Sequence, residues 1–121
     1  MPKTVDKYIN EQKEIAKKIL DIIGINENNN MISLTKLDEN IELQNSILNL
    51  EPEIKKYFLA SKFSFINNVA RDYKRKYLAI IKSIMKTMKI RMSSSILTTK
   101  IDDKKTYETF YVFNLSTFNE I

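Results

Sequence analysis

Val69–Arg91, VARDYKRKYLAIIKSIMKTMKIR, is the stretch on which the reading of this chain turns. At about 100° per residue, Tyr73, Tyr77, Ile80, Ile81, Ile84 and Met88 share one apolar face of a helix. Arg71, Arg75, Lys82, Lys86 and Lys89 fall within an arc of roughly 60° on the other side. Such a helix buries one side in a core and leaves a row of cations in water. From Arg71 to Lys89 the row spans about 27 Å at a rise of 1.5 Å per residue.

Directly after Arg91 the pattern changes to MSSSILTTKI (92–101), DDKK (102–105) and TYETFYVFNL (106–115). Small, β-branched and aromatic residues on either side of a charged turn predict an antiparallel hairpin. Asp102-Asp103 is not the Asn-Gly pair of a tight two-residue loop, so a connection of four or more residues is expected. Alternation puts Tyr107, Thr109, Tyr111 and Phe113 on one face and Glu108, Phe110, Val112 and Asn114 on the other. One face is expected to cover the helices and the other to meet a partner, a second subunit being a candidate.

Upstream, Thr4 is placed to cap a helix running to about Ile23, with Gly24 as its left-handed terminal residue and Ile25 as the apolar contact behind it. Val5, Tyr8, Ile9, Ile15, Ala16, Ile19, Leu20 and Ile23 keep a helical period that polar Gln12 interrupts. Val5, Ile9, Gln12, Ala16, Ile19 and Ile23 also follow a 4-3 spacing. Residues 1–24 therefore either pack on their own domain or pair with a copy of themselves. Asn26–Asn30 reads as a loop, Met31–Leu34 as a short strand and Thr35–Leu50 as a second helix. Pro52 ends that helix and opens a shorter one with Ile54, Tyr57 and Phe58 inward. A connection over 60–68 leads to the basic helix, with Asn67 or Asn68 as its cap. The sum is a small α+β fold, mostly helical with a C-terminal antiparallel β-hairpin, in a single domain over 1–121.

The net charge of +5 is unevenly spread: 6 basic and 10 acidic residues lie in 1–54, 11 and 1 in 55–91, and 3 and 4 in 92–121. Concentrated positive charge points to a polyanionic partner, with DNA ahead of RNA or an acidic membrane surface. With no cysteine and no histidine, disulfides, thiol nucleophiles, Cys/His zinc sites and imidazole bases are excluded together. Serines 93–95 have no histidine to activate them, and the single glycine excludes the usual glycine-rich phosphate loops. Asp38 with Glu53-Ile54-Lys55 matches the loose Asp…Glu-x-Lys pattern of metal-dependent nucleases, a match that any charged helix offers by chance. No enzymatic activity, metal, cofactor or small-molecule substrate is expected. No apolar run reaches the roughly 18 residues that span a bilayer, so a soluble, intracellular protein without membrane contact is expected.

The order helix, short strand, helix, helix, basic helix, hairpin resembles the winged helix-turn-helix family over residues 31–115. The helix at 53–59 and the basic helix from 69 correspond to its helix pair, and residues 92–113 to its wing. The connection over 60–68 is longer than the usual three or four residues, so a different helix-plus-ribbon arrangement is the alternative geometry. The resemblance implies a recognition helix in the major groove and a wing on an adjacent groove or phosphates. By position, Arg71, Lys74, Arg75 and Lys76 approach bases or phosphates, and Lys100, Lys104 and Lys105 come from the wing. A looser resemblance, carried by IKKYF, RKYLAIIKSIMKTMKI and the hairpin in a chain heavy in Ile, Lys and Asn, is to small proteins of giant DNA viruses and virophages. It implies a viral protein acting in a host cytoplasm.

With 17 Lys and 3 Arg, phosphate contact is expected over base reading, because arginine is the residue that pairs guanine bidentately. The expected function is non-enzymatic binding of double-stranded DNA, with RNA open, by a homodimeric transcription regulator or genome-handling factor. The expected contact residues are Arg71, Lys74, Arg75, Lys76, Lys82, Lys86, Lys89, Lys100, Lys104 and Lys105. Arg75 and Lys82 are expected to be exposed and replaceable without loss of folding. The rival reading is a protein-interaction or structural module whose basic face is merely solvated.

Overall fold

A computed structural model describes residues 8–58 and 75–116. The expectations made for Thr4, Val5, the connection over 60–68, Asn67, Asn68, Arg71, Tyr73 and Lys74 lie outside these residues. The described chain is α+β. Helix α1 (Ile9–Ile23) precedes strand β1 (Met31–Ser33), and helices α2 (Leu34–Glu39), α3 (Ile41–Leu48), α4 (Glu51–Tyr57) and α5 (Lys76–Thr87) follow. Strands β2 (Arg91–Ile101) and β3 (Lys104–Asn114) form the hairpin, and β1 joins it to make a three-stranded antiparallel sheet in the order β1-β3-β2.

Helix α1 ends where the sequence places its end. Gly24 is left-handed at φ 75°, its N–H donates to Asp21 O, and the Ile25 N–H reaches back to Leu20 O at 2.8 Å. This double bond satisfies carbonyls left open by the last turn and buries Ile25 with Leu20. Ile15, Ala16, Ile19, Leu20 and Ile23 are all buried, against α3 and α4. The side chain of Gln12 donates to Tyr57 O at 2.6 Å, so the polar break in the stripe serves the C-terminal end of α4. Of the 4-3 row, Gln12, Ala16, Ile19 and Ile23 are thus engaged inside the chain.

Three local expectations are corrected. The helix expected over Thr35–Leu50 is two, because Asn40 leaves helical geometry (φ −97°, ψ 87°) and its Oδ1 accepts the Leu43 N–H at 2.9 Å. An asparagine side chain that replaces a backbone partner ends one helix and caps the next. Gln44 covers the open carbonyls of α2 at Leu37 and Asp38. The continuous basic helix expected from Val69 is interrupted at Arg75, which is non-helical (φ −120°, ψ 50°), so α5 begins at Lys76; the part of that expectation over 69–74 lies outside the described residues. Helix α5 closes with Lys89 left-handed at φ 60° and the Ile90 N–H on Met85 O. The hairpin connection is two residues, not four: Ile101 pairs with Lys104, and Asp102 and Asp103 take φ 51° and 64°. Two positive φ values make the type I′ turn, whose twist matches the strands, and aspartate, like asparagine, tolerates that conformation.

The core joins both halves. Tyr77, Leu78, Ile80, Ile81, Ile84 and Met85 are buried on α5, leaving Lys82 and Lys86 as its exposed residues. Tyr111 and Phe113 are the buried residues of β3, so their face covers the helices. Residues directly opposite share a face, and the helix-facing side of the hairpin carries Met92 with Phe113, Ser94 with Tyr111, Ile96 with Thr109, Thr98 with Tyr107 and Lys100 with Lys105. Every residue from Ser93 to Tyr107 is exposed. The outer half of the hairpin is therefore an arm that leaves the core. Among the described residues, no helix is long and apolar enough to cross a membrane.

Candidate functional site

The C-terminal half of α5 and the start of the hairpin enclose a groove of about 420 Å³ lined by Lys82, Lys86, Ile90, Arg91, Met92, Ser94 and Tyr111. Helical spacing sets Lys82 and Lys86 one turn apart on the one side of α5 that the core does not take. The sheet supplies the floor. The Lys82 ammonium stands 5.3 Å from the centroid of the Tyr111 ring, a cation–π contact that steadies the side chain without neutralising it. Tyr111 is itself buried, so its ring is a fixed support. Among the described residues, no carboxylate forms an ion pair with Lys82, Lys86, Lys89, Arg91, Lys100, Lys104 or Lys105.

The same sheet face continues from Ser94 and Tyr111 out to Lys100 and Lys105, six residues or roughly 20 Å along the strands. The chain thereby holds unneutralised cations at two places on one face: Lys82 and Lys86 in the groove, and Lys100 and Lys105 at the end of the arm. Lys104 lies beside the turn on the opposite face and Lys89 just beyond α5. Arg91 and Tyr111 line the groove without having been singled out as contacts in the sequence. The change of period at Arg91 and the alternation of β3 were the available signals.

Two other expected contacts are engaged elsewhere. Arg75 donates through Nε to Asp38 Oδ1 at 3.0 Å and through Nη2 to Oδ2 at 2.8 Å, and the Tyr77 hydroxyl donates to the same Oδ1 at 2.8 Å. This carboxylate ties the end of α2 to the first turn of α5. Lys76 lies 3.6 Å from Glu51, which also pairs with Lys55. The described part of the positive row thus divides: Arg75 fastens helices together, as Lys76 beside it does, and Lys82, Lys86 and Lys89 face water.

The Asp38 cluster makes stability depend on pH. The hydrogen bonds from Arg75 hold the Asp38 carboxyl below its ordinary value of 3.8; burial opposes this and the Tyr77 hydroxyl adds to it. A depressed carboxyl contributes stability that is present above its unfolded value and is lost as pH falls through the folded one. Burial, followed by the bond to Asp38, pushes the Tyr77 hydroxyl well above its ordinary 10.0. Its contribution is complete below about pH 10 and declines as pH rises further. Urea midpoints followed across pH are expected to show both limbs, small on the acid side because Asp38 and Arg75 are 37% and 51% exposed. Asp38→Asn is expected to flatten the acid limb, and Tyr77→Phe to remove the alkaline one.

Among the described residues, no group of three or more His, Cys, Asp or Glu is placed to hold a metal ion. No family model, no curated protein and no solved structure matches the chain.

Proposed function

We propose that this protein is a non-enzymatic binder of double-stranded DNA that contacts phosphates through the groove beside α5 and through the hairpin arm. The observation that carries this reading is the groove, where Lys82 and Lys86 stand without acidic partners on the same sheet face as Lys100 and Lys105. Lysine ammoniums at this spacing suit a backbone of regularly repeated charge, with Arg91 the one arginine among the described residues that lines the groove beside them. Binding tolerant of sequence follows, and RNA duplexes are a second substrate for the same chemistry. Winged-helix-like docking finds its support in the element order and in an arm that projects beside α5. Regulation of transcription or handling of a genome fits such a surface, and the lysine-, asparagine- and isoleucine-rich composition favours a viral source and a host cytoplasm.

A salt titration tests the reading. With Lys82, Lys86, Lys89, Lys100 and Lys105 each neutralising a phosphate, log K against log salt is expected to slope at about −4 to −5 on duplex DNA. Absence of binding to any duplex at low salt would overturn it in favour of a module with a solvated basic face.

A further inference from the structure

We infer that β2 is a dimerisation edge: its free side pairs antiparallel with β2 of a second copy, centred on Ile96, and joins two three-stranded sheets into one of six strands. Strand β2 lies at the edge of the sheet. The two-residue turn sets which of its backbone groups are free. In such a hairpin Ile101 and Lys104 exchange both hydrogen bonds, and the alternation continues without a bulge to Arg91 and Asn114. Odd-numbered residues of β2 therefore address β3. Met92, Ser94, Ile96, Thr98 and Lys100 turn their N–H and C=O groups outward.

Between Arg91 and Lys100 this edge carries none of the usual guards. Edge strands are normally protected by charge, proline, a bulge or brevity. Ser93–Thr99, SSSILTT, has no charge, no proline and no glycine. Ile96 and Leu97 are 67% and 55% exposed there. An eleven-residue strand of this composition is built to be paired.

Its own sequence says with what. The register that engages all eleven residues is centred on Ile96, which meets Ile96 of the second copy. Ser94 then faces Thr98 of the second copy, Ser93 faces Thr99, Met92 faces Lys100 and Arg91 faces Ile101. Hydroxyls oppose hydroxyls and no like charges are opposed. One step beyond each end Asp102 of the second copy falls opposite Ile90, beside Arg91, and two steps beyond Asp103 comes to the position of Lys89. The acidic pair at the tip of an otherwise basic arm thereby gains two cations, a complement that an unrelated strand would not supply. The two-fold axis stands perpendicular to the sheet, so both α5 helices lie on one side of it.

Sedimentation velocity on the full chain, without nucleic acid, tests this directly. The wild type is expected to sediment as a dimer. Thr98→Pro is expected to sediment as a monomer with an unchanged far-ultraviolet spectrum, because the lost N–H faces the free edge and not β3. The chain has no cysteine, so Ile96→Cys is a clean reporter. Its two α-carbons would lie about 5.5 Å apart across the axis, within disulfide range, and mild oxidation is expected to link the dimer. Thr99→Cys is the control, with about 20 Å between its copies, and is expected to stay unlinked. A monomeric wild type, a dimer that survives Thr98→Pro, or equal linking of the two cysteine variants would overturn the assignment. Should Thr98→Pro fail to fold, the cysteine pair decides.

Discussion

Replacing Lys82 and Lys86 together by glutamate is expected to lower affinity for duplex DNA by about 10²- to 10³-fold near 0.1 M salt. Each lysine that releases a counterion contributes about 0.9 to the salt slope, which is roughly eightfold in affinity per contact at that concentration. Loss of two contacts alone accounts for a factor of about 60, and two carboxylates facing phosphate add repulsion. The slope itself is expected to fall by about 2. Folding is expected to persist. Both lysines are exposed and outside the ion pairs, and the cation–π contact to Tyr111 is worth about 0.5–1 kcal/mol at an exposed site. Fluorescence anisotropy with a labelled duplex reads the affinity, and circular dichroism the fold. Unchanged affinity in a folded variant would leave the groove without a role in binding. Arg75 is the wrong residue for this test: a glutamate there would face Asp38, so the expectation that it can be exchanged freely does not survive the structure.

Phe113→Ala is expected to cost about 3–5 kcal/mol in urea denaturation, a large part of the roughly 5–15 kcal/mol that holds a domain of this size. Phe113 is among the largest fully buried side chains, 1% exposed. Its strand lies between β1 and β2, and its N–H donates to Asn30 O at 2.8 Å. Truncation removes the ring while leaving that backbone bond, so the loss isolates the packing of sheet on helices. Tyr107→Ala, on the same strand face but 68% exposed, is expected to stay within about 0.5 kcal/mol. A loss below about 1 kcal/mol for Phe113→Ala would contradict the core described above.

Much of this architecture was legible because its causes are local. Gly24 stops α1 through its own backbone freedom, the hairpin follows from a change of period at Arg91, and the alternation of β3 sorts its residues into two faces, of which the fold buries the one with Tyr111 and Phe113. What escaped has two kinds of cause. Asn40 divides a stretch whose apolar pattern runs on, because a single side-chain oxygen outcompetes the helix. Asp102-Asp103 forms a tight turn that its composition only weakly announces. The break at Arg75 is hidden for a different reason: the carboxylate that receives Arg75 and Tyr77 comes from Asp38, far away in the chain. The same distance hides the site. Periodicity ranks Arg75, Lys82 and Lys86 alike, and only the folded chain brings Asp38 to one and the Tyr111 ring to another.

The pairing of Met31–Ser33 with Phe110–Val112 also governs how the chain can fold. Strand β1 must wait through nearly eighty residues of synthesis for its neighbour, whereas the hairpin closes across two. Loop closure over the longer span is the slower event. Helices and hairpin are therefore expected to form early and separately, and insertion of β3 beside β1 is the late step that commits the domain to its native state.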